Sequence, residues 1–327
     1  MSLFEGSSIL ITGGTGSFGK AFLSRVLEAH NPARVAIYSR DELKQYEMKQ
    51  TYGDDSRVRF FIGDIGDRDR LEMAMHGVDY VVHAAALKQV DTAEYNPMEY
   101  VKTNILGSEN VMIASINAGV KKIVALSTDK ASSPVNLYGA TKLTADKLFI
   151  SGNHYSYARG TKFAVVRYGN VMGSRGSVIP FFRALAERGE PLPITDLRMT
   201  RFWITLPQAV EFVIDSFEAM DGGELYVPRI PSMHVTDLAR AIAPDTELVE
   251  VGIRPGEKLH EEMISPEDAR RTIRQSDRYV VGPTLAEWTY RVPAGEPVPD
   301  GFAYTSDTNG LWLTVDGIRQ MLADLGL

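Results

Sequence analysis

The chain has 327 residues, 44% hydrophobic and 24% charged, ordinary values for a soluble globular protein with ample core. Its net charge of −7, with no basic block, argues against nucleic acid or an anionic membrane as partner, while a local basic pocket for phosphates stays open. Cysteine is absent, which excludes disulfides and cysteine-ligated zinc, and the six histidines form no short-spaced pair, so no metal site is read. The first six residues carry no basic region, and no segment reaches the roughly 18–20 apolar residues of a spanning helix. The expected compartment is the cytoplasm.

Strands and helices alternate from the start. Ser8–Thr12 is a short apolar strand. Ser17–Ala29 reads as a helix, with Phe18, Phe22, Val26 and Leu27 near one face. Further strands are predicted at residues 34–38, 58–62, 80–84, 122–127 and 162–168, separated by helical stretches, with a helix over 138–150. Runs this continuously apolar suit a parallel sheet covered on both faces, so the predicted fold is α/β with a doubly wound Rossmann-type sheet. Ligands of such sheets bind beyond the carboxyl ends of the strands. After Asn170 the pattern loosens, with helices expected over 207–220 and 235–242. The expected organisation is a dinucleotide-binding domain over 1–170, a smaller substrate lobe over 171–282 that may cross back to the sheet, and a tail over 283–327.

The first strand runs into Gly13, Gly14, Thr15, Gly16, Ser17, Phe18 and Gly19. Glycines between strand and helix let a pyrophosphate approach the helix N-terminus, where free N–H groups and the helix dipole favour anions. The spacing GxxGxxG is similar to that of the short-chain dehydrogenase/reductase superfamily and implies a nicotinamide cofactor. The second strand ends at Ser39, Arg40 and Asp41, with Lys44 nearby. Hydroxyl and guanidinium groups suit a ribose 2′-phosphate, hence NADP, while Asp41 keeps NAD open. Asp64 and Ile65 end the third strand beside the expected adenine position. Ala84, Ala85 and Ala86 end the fourth, small enough for close approach to the cofactor.

Tyr138 and Lys142 lie four apart on a helix and share a face. A nearby ammonium favours the tyrosinate, so the phenol can serve as a base, with Thr128 hydrogen-bonding the same substrate hydroxyl. Asp129 and Lys130 directly follow the fifth strand. Ketone reduction or C4 epimerisation needs only the tyrosine, the lysine and a hydroxyl; an additional acid and base imply elimination.

Ser127-Thr128-Asp129-Lys130 resembles the Thr-Asp-Glu motif of sugar-nucleotide 4,6-dehydratases, with Lys in place of Glu. The stretches at 83–90, 94–97, 167–171, 173–177, 198–203 and 254–258 resemble the inverting UDP-N-acetylglucosamine 4,6-dehydratases, which begin pseudaminic acid synthesis for flagellar and surface glycans. The resemblance runs from about Gly6 to Glu262, with Asp91 standing where the family often has Pro. It implies that Tyr138 takes the C4 hydroxyl proton and that Lys130, made neutral by a lowered pKa, takes the C5 proton. Asp129, its pKa raised, protonates the departing C6 hydroxyl. It further implies cofactor contacts from Lys88, Thr103 and Val171. For UDP-N-acetylglucosamine it implies contacts from Asn170, Arg175, Ser177, Val178 and Met199, with Pro193, Ile194 and Thr195 at uracil. Arg201 and Arg254 are expected on the diphosphate, Glu257 on ribose. Assembly into a homo-oligomer is implied as well. The alternatives are a retaining 4,6-dehydratase, a C4 epimerase, and a non-catalytic cofactor-sensing protein.

Overall fold

A computed structural model describes residues 2–173, 178–285 and 290–327. Seven strands form the parallel part of a ten-stranded sheet: β1 (Ser8–Thr12), β2 (Arg34–Ser39), β3 (Val58–Ile62), β4 (Tyr80–His83), β5 (Lys122–Thr128), β6 (Lys162–Tyr168) and β10 (Leu225–Pro228). Their spatial order is β3-β2-β1-β4-β5-β6-β10, every neighbouring pair parallel. The order reverses between β1 and β4, the crevice where doubly wound sheets take their ligands. β14 (Thr272–Arg274), β15 (Arg278–Val281) and β16 (Glu296–Pro297) extend the sheet antiparallel beyond β10.

The central strands are apolar on both faces because helices cover both. Ile9, Leu10, Ile11, Val81, Val82, Ile123 and Val124 are buried in one core with Phe22, Val26, Phe149, Val213 and Phe217 from α1 (Ser17–Ala29), α7 (Leu137–Tyr155) and α9 (Leu206–Ala219). Local signals set where the helices begin. Asp41 caps α2 (Glu42–Tyr52) by accepting from Lys44 N, and Asn136 caps α7 by accepting from Gly139 N. Thr205 and Gln208 form a reciprocal capping box at α9.

Most of the elements after Asn170 gather beside the carboxyl ends of β5 and β6. β7 (Asn170–Met172), β9 (Thr200–Thr205) and β11 (Ser232–His234) form a small sheet, and β8 (Leu192–Ile194) pairs with β12 (Leu248–Glu250). α8 (Val178–Glu187) and α10 (Val235–Ile242) pack there, joined by α11 (Val315–Asp324), whose Ile318 and Leu322 share a core with Trp203, Met233 and Leu238. The stretch beyond Gly282, expected as a tail, thus supplies an outer strand and a core helix. It also contributes β17 (Tyr304–Thr305), which pairs with β13 (Glu262–Ile264). Among the described residues no helix is long and apolar enough to cross a membrane, and no cluster of metal-ligating side chains forms.

Candidate active site

The glycine loop joins β1 to α1. Gly13 has φ +65°, and a Cβ there would lie 2.8 Å from the Ala85 backbone, so the loop can sit against the end of β4 only without a side chain. Gly16 is the N-cap of α1 and supplies no side-chain cap, which leaves the first-turn N–H groups for an anion. Gly13, Gly16, Ser17, Phe18 and Gly19 line a cavity of 640 Å³ with Ala84, Ala86 and Lys88. Thr15 lies behind the loop, its hydroxyl 2.9 Å from Ser39 Oγ at the tip of β2.

Around that tip the charges are partly matched. Arg40 is exposed and pairs with Asp64 Oδ2 at 3.1 Å. Asp41 is engaged as the α2 cap and pairs with Lys44, so Lys44 is neutralised locally instead of standing free for a phosphate. Ile65 is buried beneath Gly107. Thr103 lies in a π-helical turn, Val101–Leu106, and is not among the residues lining the cavity. His83 is fully enclosed, bonded to Thr12 Oγ1 at 2.8 Å; burial, with the Lys142 charge adding, lowers its pKa to about 3, so it is a neutral prop.

The same cavity holds Thr128, Asp129, Lys130, Tyr138 and Lys142, together with Tyr168, Asn170 and Val171. Thr128 ends β5, and Asp129–Ala131 is a single 3-10 turn packed on the first turn of α7. That packing depends on Gly139, where a Cβ would lie 2.2 Å from the Lys130 carbonyl oxygen. Thr128 Oγ1 donates to Asp129 Oδ1 at 2.9 Å, and Lys130 Nζ donates to the same oxygen at 3.1 Å. Asp129 is 1% exposed and its Oδ2 has no partner. Burial raises the Asp129 pKa against the pull of Lys130, the direction an acid needs.

Lys130 departs from the expectation of a lowered pKa. Burial alone would lower it, but Asp129 and Glu261, the latter at 3.2 Å, outweigh burial and raise it. Lys130 rests as an ammonium. The role expected of Lys142 also shifts. Its amine donates to the Leu126 carbonyl at 2.8 Å, and burial, opposed by Asp146, lowers its pKa. Burial pushes Tyr138 up to about 12, against Lys130 and the Thr128 hydroxyl, which both favour the tyrosinate. In the protein alone, the cation felt by Tyr138 is therefore Lys130, and Lys142 is held back by the backbone.

A second cavity of 570 Å³ shares Asn170, Val178, Trp203, Arg254 and Glu257 with the first. It is completed by Pro193, Thr195, Met199, Arg201 and residues of α8 and α10. Pro193 and Thr195 face it, while Ile194 between them packs into a small core, because side chains alternate along a strand. Asn170 Oδ1, Trp203 Nε1 and Glu257 Oε2 are buried atoms without partners, a pattern suited to a polar ligand. Arg254 is exposed at the rim. Arg201 is buried and its guanidinium donates to the carbonyls of Thr200, Leu259 and Lys258, which leaves little of it for a diphosphate. Arg175 and Ser177 lie outside the described residues.

Three participants escaped the sequence reading. Glu261 is 2% exposed against Lys130. Asp146, one helical turn beyond Lys142, accepts from Ser127 Oγ at 2.8 Å and from Arg167 Nη2 at 3.0 Å. Tyr168, buried beside Tyr138, lines the cavity. Only the spacing of Asp146 from Lys142 gave a local signal; Glu261 reaches the site through tertiary folding.

A family model described as "Polysaccharide biosynthesis protein" matches residues 9–283. The inverting UDP-N-acetylglucosamine 4,6-dehydratase of Campylobacter jejuni subsp. jejuni serotype O:2 is 53% identical over 329 residues, 98% of either chain. The UDP-glucose 4-epimerase of Rickettsia canadensis is 40% identical, covering 99% of this chain and 97% of its own. Among solved structures, Pen from Bacillus thuringiensis superposes with a TM-score of 0.91 at 37% identity, over 99% of each chain.

Proposed function

The chain belongs to the family of inverting UDP-N-acetylglucosamine 4,6-dehydratases, and from that premise we propose that it removes water from UDP-N-acetylglucosamine and inverts C5. The product is a 4-keto-6-deoxy-L-arabino sugar nucleotide, the starting point of pseudaminic acid synthesis. NADP is the proposed cofactor, on the strength of Ser39 and the exposed Arg40 at the β2 tip.

The observation that carries the reading is that Asp129 and Lys130 share one cavity with Tyr138, the glycine loop and Asn170. The loop's close approach to β4 and the uncapped start of α1 fit a dinucleotide pyrophosphate. When bound, the nicotinamide supplies a hydride acceptor for C4 and returns that hydride at C6. Tyr138 takes the C4 hydroxyl proton, helped by Thr128 and the Lys130 charge. Oxidation at C4 acidifies the C5 proton. Asp129 and Lys130 then handle two protons, one leaving C5 and one joining the C6 hydroxyl as water departs. Their contact of 3.1 Å lets the resting carboxylate–ammonium pair pass one proton and become acid and amine, so Lys130 is the base and Asp129 the acid. A proton from solvent, balancing the one that Tyr138 took from the C4 hydroxyl and gives back, reaches C5 on the opposite face and completes the inversion. Glu257 Oε2 and Asn170 Oδ1 are the acceptors offered to the sugar nucleotide, and Arg254, exposed where the two cavities meet, is the cation proposed for its diphosphate.

A C4 epimerase, the activity named for the Rickettsia relative, would leave Asp129 and Lys130 without a task. A retaining dehydratase would sit better with a carboxylate at position 130. Proton NMR of the reaction separates the three: a C4 epimer with C6 still oxygenated, or a D-xylo first product, overturns the proposal.

A further inference from the structure

The Asp129–Lys130 turn is braced from outside the sheet by one short stretch, residues 258–263. Lys258 Nζ donates to the Ser132 carbonyl at 2.5 Å. Glu262 Oε1 accepts from the hydroxyls of Ser132 and Ser133, each at 2.6 Å. The Met263 carbonyl accepts from Arg167 at 3.0 Å. Between them stands Glu261. Its backbone N–H donates to Ser306 Oγ at 2.9 Å, and its carbonyl accepts from Ser306 N at 2.8 Å, so the main chain is fixed on both sides. Its carboxylate meets Lys130 Nζ at 3.2 Å and Arg201 Nε at 3.7 Å, and its second oxygen is buried without a partner. A carboxylate so enclosed is costly unless paired, and its nearest cation is the lysine of the elimination pair.

Resting on the dehydratase reading, we propose that Glu261 is the positioning residue for Lys130, needed far more for C5 proton exchange than for oxidation at C4. A lysine side chain has four flexible carbons and needs anchors to hold its amine in one place. Asp129 is one anchor, but its charge changes as it gives up and regains a proton during turnover. Glu261 stays clear of that exchange and is the anchor that persists. Arg201 serves the arrangement by tying β9 to Lys258 and Leu259 and by flanking the carboxylate. The charged and titratable groups around Lys130 are Asp129, Glu261, Arg201, Tyr138 and, farther out, Lys258.

The test is Glu261→Gln, which keeps shape and removes charge, run with UDP-N-acetylglucosamine and NADP in deuterated water. Oxidation at C4, read as reduced-cofactor absorbance in the first turnover, should fall by much less than C5 exchange, because Tyr138 and Thr128 keep their places and lose only part of the help from Lys130. Deuterium incorporation at C5 should fall on the order of 10²-fold, the scale of a misplaced catalytic group. The limb of the pH profile set by Lys130 should move to lower pH, because a carboxylate that raises its pKa has gone. Glu261→Asp restores the charge one methylene back and should return the limb while leaving C5 exchange reduced. Unchanged C5 exchange in Glu261→Gln overturns the inference. If that variant does not fold, unchanged exchange in Glu261→Asp overturns it. A wild-type enzyme without C5 exchange would sink the dehydratase reading itself, whereas normal wild-type exchange with normal variant exchange sinks only the role of Glu261.

Discussion

Replacing Asp146 by alanine should destabilise the protein more than its distance from the substrate suggests. Asp146 and Arg167 are 4% and 3% exposed, and Asp146 accepts both from Arg167 Nη2 at 3.0 Å and from Ser127 Oγ at 2.8 Å. The alanine variant leaves the guanidinium buried with one carbonyl acceptor, that of Met263, and with Nε already unpaired. Removing one partner of a buried ion pair costs about 3–5 kcal/mol. Against a total stability of roughly 5–15 kcal/mol this is a large share. Asp146→Asn keeps an acceptor and should cost about 2 kcal/mol, near the value of a charged hydrogen bond. The double variant Asp146→Ala with Arg167→Met removes the stranded charge and should recover to within about 1–2 kcal/mol of wild type. Equilibrium urea unfolding followed by circular dichroism measures all three. An alanine variant within about 1 kcal/mol of wild type, the range of exposed pairs, would refute the reasoning. So would a double variant less stable than the sum of its parts.

Other expectations follow from the site. Arg40→Ala should weaken NADP binding about tenfold or more while sparing NAD, the scale of one charge-assisted contact to phosphate, with equal loss for both cofactors arguing against a 2′-phosphate site. Gly139→Ala should press on the Lys130 carbonyl, 2.2 Å from the added Cβ, and lower kcat by on the order of 10²-fold with KM little changed; normal kcat would show that the turn tolerates displacement. Tyr138→Phe should fold and bind substrate yet halt oxidation at C4, as stopped-flow absorbance would show. Lys130→Ala removes a cation that opposes the burial which pushes Tyr138 up to about 12. The tyrosinate titration, followed by ultraviolet absorbance, should therefore move to higher pH; a downward move would contradict the assigned pairing.

Much of the dinucleotide half was legible because its signals are local. The strand, the glycine loop and the helix after it follow one another in the chain, and the predicted bounds of Ser17–Ala29 and Val58–Ile62 coincide with the observed elements. That Tyr138 and Lys142 share a helix face followed from spacing alone, and both line the cavity. What spacing could not reveal was the partner of each charge. Lys130 reads as an amine to be neutralised until Glu261, 131 positions later, is seen 3.2 Å away. Arg201 reads as a phosphate ligand until three carbonyls are found around it. The helix Val315–Asp324 does carry a helical stripe, Val315, Ile318, Met321 and Leu322, which was overlooked among the Gly- and Pro-rich residues before it. Its place was decided by a core assembled from β7, β9, β11 and α10.

The central claim is that Asp129 and Lys130 carry out an elimination that inverts C5. The most direct measurement is proton NMR of the wild-type enzyme with UDP-N-acetylglucosamine and NADP in deuterated water, sampled from the earliest turnover. The account predicts a first product with a 4-keto group, a C6 methyl, deuterium at C5 and L-arabino configuration. A D-xylo first product, or a C4 epimer retaining its C6 hydroxyl and its C5 proton, would contradict it.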